Sequence, residues 1–276
     1  MYFIARLIAR EVAAMKIDLN GFKKYLDSKS YSECTKTAYI EGVKSYIRHG
    51  YKEVSVELEN EFRERLKTEG QKARSVNARV YAMNAYNKWV GLPVIEAVKI
   101  NEDPFAVNGM DLEDYYKLLD LLLRDEKFHW YIIIKTLAST GMRIGEASRV
   151  TFGDIRRGFA VVYGKGGKQR TIYFSHQLQE TLYMYIKDRA DDELLIPYSL
   201  TYVRTAMNNI RKRYKLTVKT NPHEYRRFFA RQMYESTHDA ALLKGLLGHE
   251  SINMTTHYIK KTQKQAMSLY ARAQNW

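Results

Sequence analysis

FAVVYGKGGKQRTIYF, residues 159–174, is where the hydrophobic period of this chain changes. Phe159 to Tyr163 and Arg170 to Phe174 are short β-branched and aromatic runs. Gly164, Lys165, Gly166, Gly167 and Lys168 between them form a glycine-containing connection, which predicts an antiparallel hairpin. Elsewhere the apolar residues recur at three and four, the spacing of one helix face. The expected fold class is therefore mainly α with a small antiparallel β-sheet.

Working outward, Leu19, Phe22 and Leu26, then Tyr39, Val43, Tyr46 and Ile47, then Phe62 and Leu66, then Val80, Met83, Tyr86 and Trp89 predict four short helices. Polar, serine- and glycine-containing breaks fall at Ser28 to Ser32, Gly50 to Ser55 and Glu69 to Gln71. Leu92 to Pro104 loses the period, carries Pro93 and Pro104, and reads as an interdomain linker. The expected division is an all-α domain over 1–98, a linker over 99–105 and an α+β domain over 106–276. In the second domain, helices are expected over Asp111 to Leu122 and Trp130 to Ala138, with Thr140 to Glu146 closing the latter and opening another that ends near Asp154. Beyond the hairpin they are expected over Leu178 to Ile186, Tyr202 to Tyr214, His223 to Met233, Ala240 to Leu247 and Thr262 to Arg272.

A chain of 276 residues has room for one or two properly cored domains. Its one cysteine, Cys34, has no partner within the chain, which fits a reducing cytoplasm and argues against a cysteine-rich metal site. No run approaches the ~18 apolar residues of a membrane helix. Met1 to Ala14 is broken by Arg6, Arg10 and Glu11, so it reads as an amphipathic opening helix, or as residues ahead of a natural start at Met15, rather than as a signal peptide. A formal charge of +14 points to polyanions, nucleic acid first. Lys72, Arg74, Arg79 and Lys88 decorate the fourth helix, either as a solvated face or as a phosphate-facing stripe; Lys168 and Arg227 are further candidate DNA contacts.

Four motifs follow in order in the second domain. Thr140, Gly141, Met142, Arg143, Ile144, Gly145 and Glu146 turn tightly and offer a guanidinium to an anion, although Arg143 and Glu146 also have the spacing of an ordinary i,i+3 ion pair. The hairpin presents Lys165 and Lys168; it is not a nucleotide P-loop, because Gln169 stands where a magnesium-binding Ser or Thr is needed. Pro222 to Arg227 opens a helix with His223 and Arg226 three apart on one face, where the positive helix end favours anions; a metal role for His223 is weak for want of partners at ligand spacing. Last come Leu246, Leu247, Gly248 and His249, with Tyr258 nine residues later. With 22 tyrosines in the chain, Tyr258 alone means little; the conjunction in one basic domain carries the argument.

These residues resemble the tyrosine recombinase (phage integrase) family, and its Xer-like members in particular. The resemblance implies an active site of Arg143, Lys165, His223, Arg226, His249 and Tyr258, a helical core-binding domain ahead of the catalytic domain, and a C-shaped clamp on DNA. Lys165 is preferred to Lys168 because it lies between two glycines as the family's lysine does. Arg227, where a histidine is common, departs from the pattern without touching the chemistry.

The family implies attack by Tyr258 on the scissile phosphate and a 3′-phosphotyrosine intermediate. It further implies no metal or other cofactor, and a homo-tetramer on two double-stranded core sites, monomeric or dimeric when free. Two alternatives stand beside it: a type IB topoisomerase-like relaxing enzyme, and a non-catalytic architectural DNA-binding protein.

Overall fold

The computed structural model describes residues 14–100, 109–163 and 169–248, and the chain divides into two compact units, residues 1–102 and 103–276. In the first unit α1 (Leu19–Asp27), α2 (Glu33–Arg48), α3 (Val56–Thr68) and α4 (Ala73–Val90) follow the predicted breaks. Asp18, Ser32 and Ser55 start the first three by accepting the backbone N–H of Gly21, Thr35 and Leu58, which satisfies donors no helix can satisfy internally. Phe22, Leu26, Val43, Tyr46, Phe62, Leu66, Val80, Met83 and Tyr86 form the buried core. Ile47, which shares their period, is exposed.

Two features differ from the expectation for this unit. It is not purely helical: β1 (Met15–Lys16) pairs antiparallel with β2 (Glu53–Val54), strands too short to generate any period. Nor is the whole stretch after Leu92 a free linker. Leu92 and Ile95 are buried in the first core. Asn84 exchanges two hydrogen bonds with the Ile95 backbone (2.8 and 2.9 Å), Asn77 does the same with Val98 (2.7 and 2.9 Å), and Asn87 donates to the Pro93 carbonyl (2.8 Å). Three amides on one helix thus replace the missing strand partner of an extended strap.

In the second unit α5 (Leu112–Arg124) starts with an Asp111–Asp114 capping box, and α6 (Phe128–Thr140) is buried almost all round, packing against α5, α9 (His176–Ile186) and α11 (Pro222–Thr237). The one helix expected to open within the Thr140–Glu146 motif and end near Asp154 is instead two, α7 (Ile144–Ala147) and α8 (Phe152–Arg157). Thr151 and Asp154 form a capping box, so Asp154 opens the second helix rather than ending the first. The hairpin is β3 (Phe159–Tyr163) against β4 (Gln169–Tyr173), with Phe159 opposite Tyr173 and Val162 opposite Arg170; Ala160, Val162 and Ile172 face the core. Its tip, 164–168, lies outside the described residues. α10 (Leu200–Arg213) and α12 (Ala240–Leu247) complete the described helices. The helix expected at Thr262 to Arg272 falls outside them.

Candidate active site

Arg143, Ile144, Arg204, Asn221, Pro222, His223 and Arg226 line an open cleft of about 380 Å³. The sequence brings them there from three places. α6 ends at Gly141, whose left-handed backbone (φ +63°) seats it directly under the Phe229 ring, where a Cβ would collide. The chain then turns into α7 with Arg143 as its N-cap residue, 44% exposed at the side chain and facing the cleft.

The N-terminus of α11 supplies the second part. Asn221 caps it by accepting from Glu224 N (3.0 Å), Pro222 takes the first turn, where no N–H is needed, and His223 stands exposed on the cleft side. Arg226, one turn on, is 3% exposed: Nη1 donates to the Gly141 carbonyl and Nη2 to the Leu247 carbonyl, both at 2.7 Å. Arg204 on α10 lines the same cleft. Three guanidiniums, an imidazole and a helix N-terminus, with no carboxylate among the described lining residues, make a concave anion site.

Behind Arg143 lies a buried carboxylate. Glu146 Oε2 accepts from Arg143 N (2.7 Å) and Oε1 from Arg143 Nη1 (3.0 Å), so the i,i+3 ion pair weighed from spacing is present. Arg170 on β4 donates Nη2 to Oε2 of the same carboxylate (2.7 Å), and its Nη1 reaches the Leu246 carbonyl at the end of α12. Burial pushes the Glu146 carboxyl up, but the Arg170 and Arg143 bonds overcome it and hold the group below the ordinary carboxylate range. Glu224 faces away from the cleft, accepting from Met110 N and pairing with Arg231.

Of the residues singled out from sequence, Arg143, His223 and Arg226 meet in this cleft. Lys165, Lys168, His249 and Tyr258 lie outside the described residues. Arg227 is half-buried on α11. Lys72, Arg74 and Lys88 are exposed, whereas Arg79 donates to Ser45 Oγ (3.2 Å) and the Ser75 carbonyl (2.8 Å). At ~100° per residue Arg74 and Lys88 share the outer side of α4 and Arg79 does not, so the four are not one stripe. Arg204 and Arg170 were not singled out. Arg204 is one of several basic residues on α10, and no local pattern marks which one meets the cleft. Arg170 falls on the inward face of β4, opposite Val162 and two residues before the buried Ile172, and no local pattern in so short a strand pairs it with Glu146.

The phage integrase family model matches residues 109–265. Tyrosine recombinase XerA of Pyrococcus furiosus is 30% identical over 273 residues, covering 92% of this chain and 93% of its own length. This chain belongs to the phage integrase family. Tyrosine recombinase XerC of Bacillus pumilus is 25% identical, covering 91% of this recombinase and 95% of its own length. Among solved structures, a lambda integrase(75-356) dimer bound to a COC' core site superposes with a TM-score of 0.71 at 21% identity, covering 89% of this chain and 95% of that one, a likeness of fold. The protein is thus an enzyme of site-specific DNA strand breakage and rejoining, which these matches favour over a relaxing enzyme or an architectural protein.

Proposed function

We propose that this recombinase cuts DNA with the Tyr258 hydroxyl, giving a 3′-phosphotyrosine and a free 5′-hydroxyl, with Arg143 and Arg226 holding the non-bridging oxygens of the scissile phosphate. The observation that supports this most directly is the meeting of Arg143, His223 and Arg226 in one cation-lined cleft, with Arg226 buried and anchored on two carbonyls. Negative charge grows on the non-bridging oxygens as the phosphorus becomes pentacoordinate. Permanently charged guanidiniums, fixed beforehand, stabilise it without reorganising.

A tyrosine hydroxyl, with an ordinary pKa of ~10, has to give up its proton as the oxygen–phosphorus bond forms. His223 takes or organises that proton, His249 donates to the phosphate, and Lys165 protonates the 5′-oxygen as its bond to phosphorus breaks, a contribution of ~10² to 10⁴ in rate. Reversal of the same step by an incoming 5′-hydroxyl rejoins the strand, because the phosphotyrosine ester keeps the bond energy. The charge +14 suits a double-stranded DNA partner; Lys72, Arg74, Arg79, Lys88, Lys168 and Arg227 are the proposed backbone contacts. A homo-tetramer on two core sites, acting in the cytoplasm, completes the reading.

The test compares wild type with Tyr258→Phe on a nicked suicide duplex, with chelator present. Wild type accumulates a covalent protein–DNA adduct and the variant none. Adduct in the variant, or adduct in wild type that chelator abolishes, refutes the proposal.

A further inference from the structure

The Glu146 carboxylate sits directly behind Arg143 and would, as its only partner, cancel the charge that guanidinium offers to the cleft. The structure supplies a second cation. Arg170 is only 11% exposed at its side chain, against 44% for Arg143, and Glu146 between them is 3% exposed. The arrangement is therefore a row of cation, anion and cation running from the cleft inward, with a net charge of one left over at the cleft end. We infer that Arg170 is a positioning residue for strand cleavage: it takes up the charge of Glu146 from behind, leaving Arg143 a net cation toward the scissile phosphate.

Three observations fix Arg170 in that task. Its Nη2 meets Glu146 Oε2 at 2.7 Å, the same oxygen that Arg143 N approaches at 2.7 Å from the other side. Its Nη1 donates to the Leu246 carbonyl, next to the Leu247 carbonyl held by Arg226, so consecutive carbonyls at the negative end of α12 are each occupied by a guanidinium. Its stem packs on Gly248, where a Cβ would come within 2.6 Å of Arg170 Cδ, and Gly248 adopts φ +63° as the helix cap. Short range makes the electrostatics matter: inside a protein a charge pair at contact is worth several times its value in water, so an unshared Glu146 would bind Arg143 tightly and weaken its hold on the phosphate.

This inference rests on the proposed Tyr258 chemistry, and its test separates the two. The probe is a nicked suicide duplex recovered from a randomised pool by covalent capture on the wild-type chain; single-turnover cleavage is then followed alongside a thermal melt of each variant. Arg170→Met is expected to cleave about tenfold more slowly, less than the ~10² to 10³ lost with a direct donor to the reacting oxygen. Arg170→Lys keeps the charge beside Glu146 but cannot also span to the Leu246 carbonyl, so it cleaves faster than Arg170→Met and slower than wild type. The deciding variant is Arg170→Met with Glu146→Gln. Removing the carboxylate's charge frees Arg143 again, so the double variant recovers most of the lost rate, which a scaffold role for Arg170 cannot produce.

Cleavage by Arg170→Met at the wild-type rate, a double variant as slow as Arg170→Met, or Arg170→Lys no faster than Arg170→Met overturns the inference. If Arg170→Met melts below the assay temperature, Arg170→Gln takes its place with the same expectations. Failure of the wild-type chain to capture any duplex refutes the Tyr258 reading, and this inference with it, and is distinguishable because it appears before any Arg170 variant is compared.

Discussion

Glu59 gives the first unit a pH dependence that can be worked out in advance. Its side chain is wholly buried between α3 and α4; Oε2 accepts from Asn87 Nδ2 at 2.8 Å, and Oε1 meets no donor among the described residues. Burial pushes the carboxyl up to about 7, only partly opposed by the Asn87 bond. Because the folded value lies above the ordinary 4.5, the folded state binds the proton more tightly than the unfolded chain does. The associated stability is fully present below pH ~4.5 and is lost as pH rises toward and through ~7. At ~1.4 kcal/mol for each unit of difference, ionising Glu59 in place costs about 3 kcal/mol, and Glu59→Gln removes that cost while keeping the shape and the Asn87 bond. The variant should match wild type at pH 4.5 and exceed it by about 2–3 kcal/mol at pH 8. Since the two units need not unfold together, the measurement is hydrogen exchange of peptides from α3 and α4 across a urea series at both pH values, not a single melting curve. An equal gap between variant and wild type at pH 4.5 and pH 8 would refute the reasoning.

Two further outcomes follow from the hydrogen bonds. Asn84→Ala removes both bonds to the Ile95 backbone, so the first unit should lose about 2 kcal/mol and the strap should become cleavable by protease between residues 92 and 98; an unchanged digestion pattern contradicts the docking role of that amide. Arg226→Lys keeps the charge, but one ammonium cannot span the Gly141 and Leu247 carbonyls, so suicide-substrate cleavage should fall by ~10² or more with a lower melting temperature; wild-type cleavage would show that the fork geometry is dispensable.

The helices of both units and the hairpin were legible because hydrophobic period and caps are local properties of the chain. Phe22, Val43, Phe62 and Met83 announce their buried faces by spacing alone, and Phe159 to Tyr163 declares a strand by its β-branched and aromatic residues beside a glycine-containing turn. The misreadings are local too, but finer than a period: two-residue strands at Met15 and Glu53, and an Asp154 whose capping partner Thr151 turns an apparent helix end into a helix start.

Sequence by itself determined the family, the order of the four motifs and the residue types, since a guanidinium at Arg143 or Arg226 and a phenol at Tyr258 carry their chemistry wherever the chain puts them. Only the tertiary structure decided what those groups lean on. Arg226 reaches Gly141, 85 residues earlier, and Arg170 reaches Leu246, 76 residues later. Asn84 holds down the strap, and Glu146 lies between two arginines. The physical reason is that a hydrogen bond or an ion pair depends on distance in space, and folding sets that distance through the packing of many residues at once, so no short window of sequence contains it.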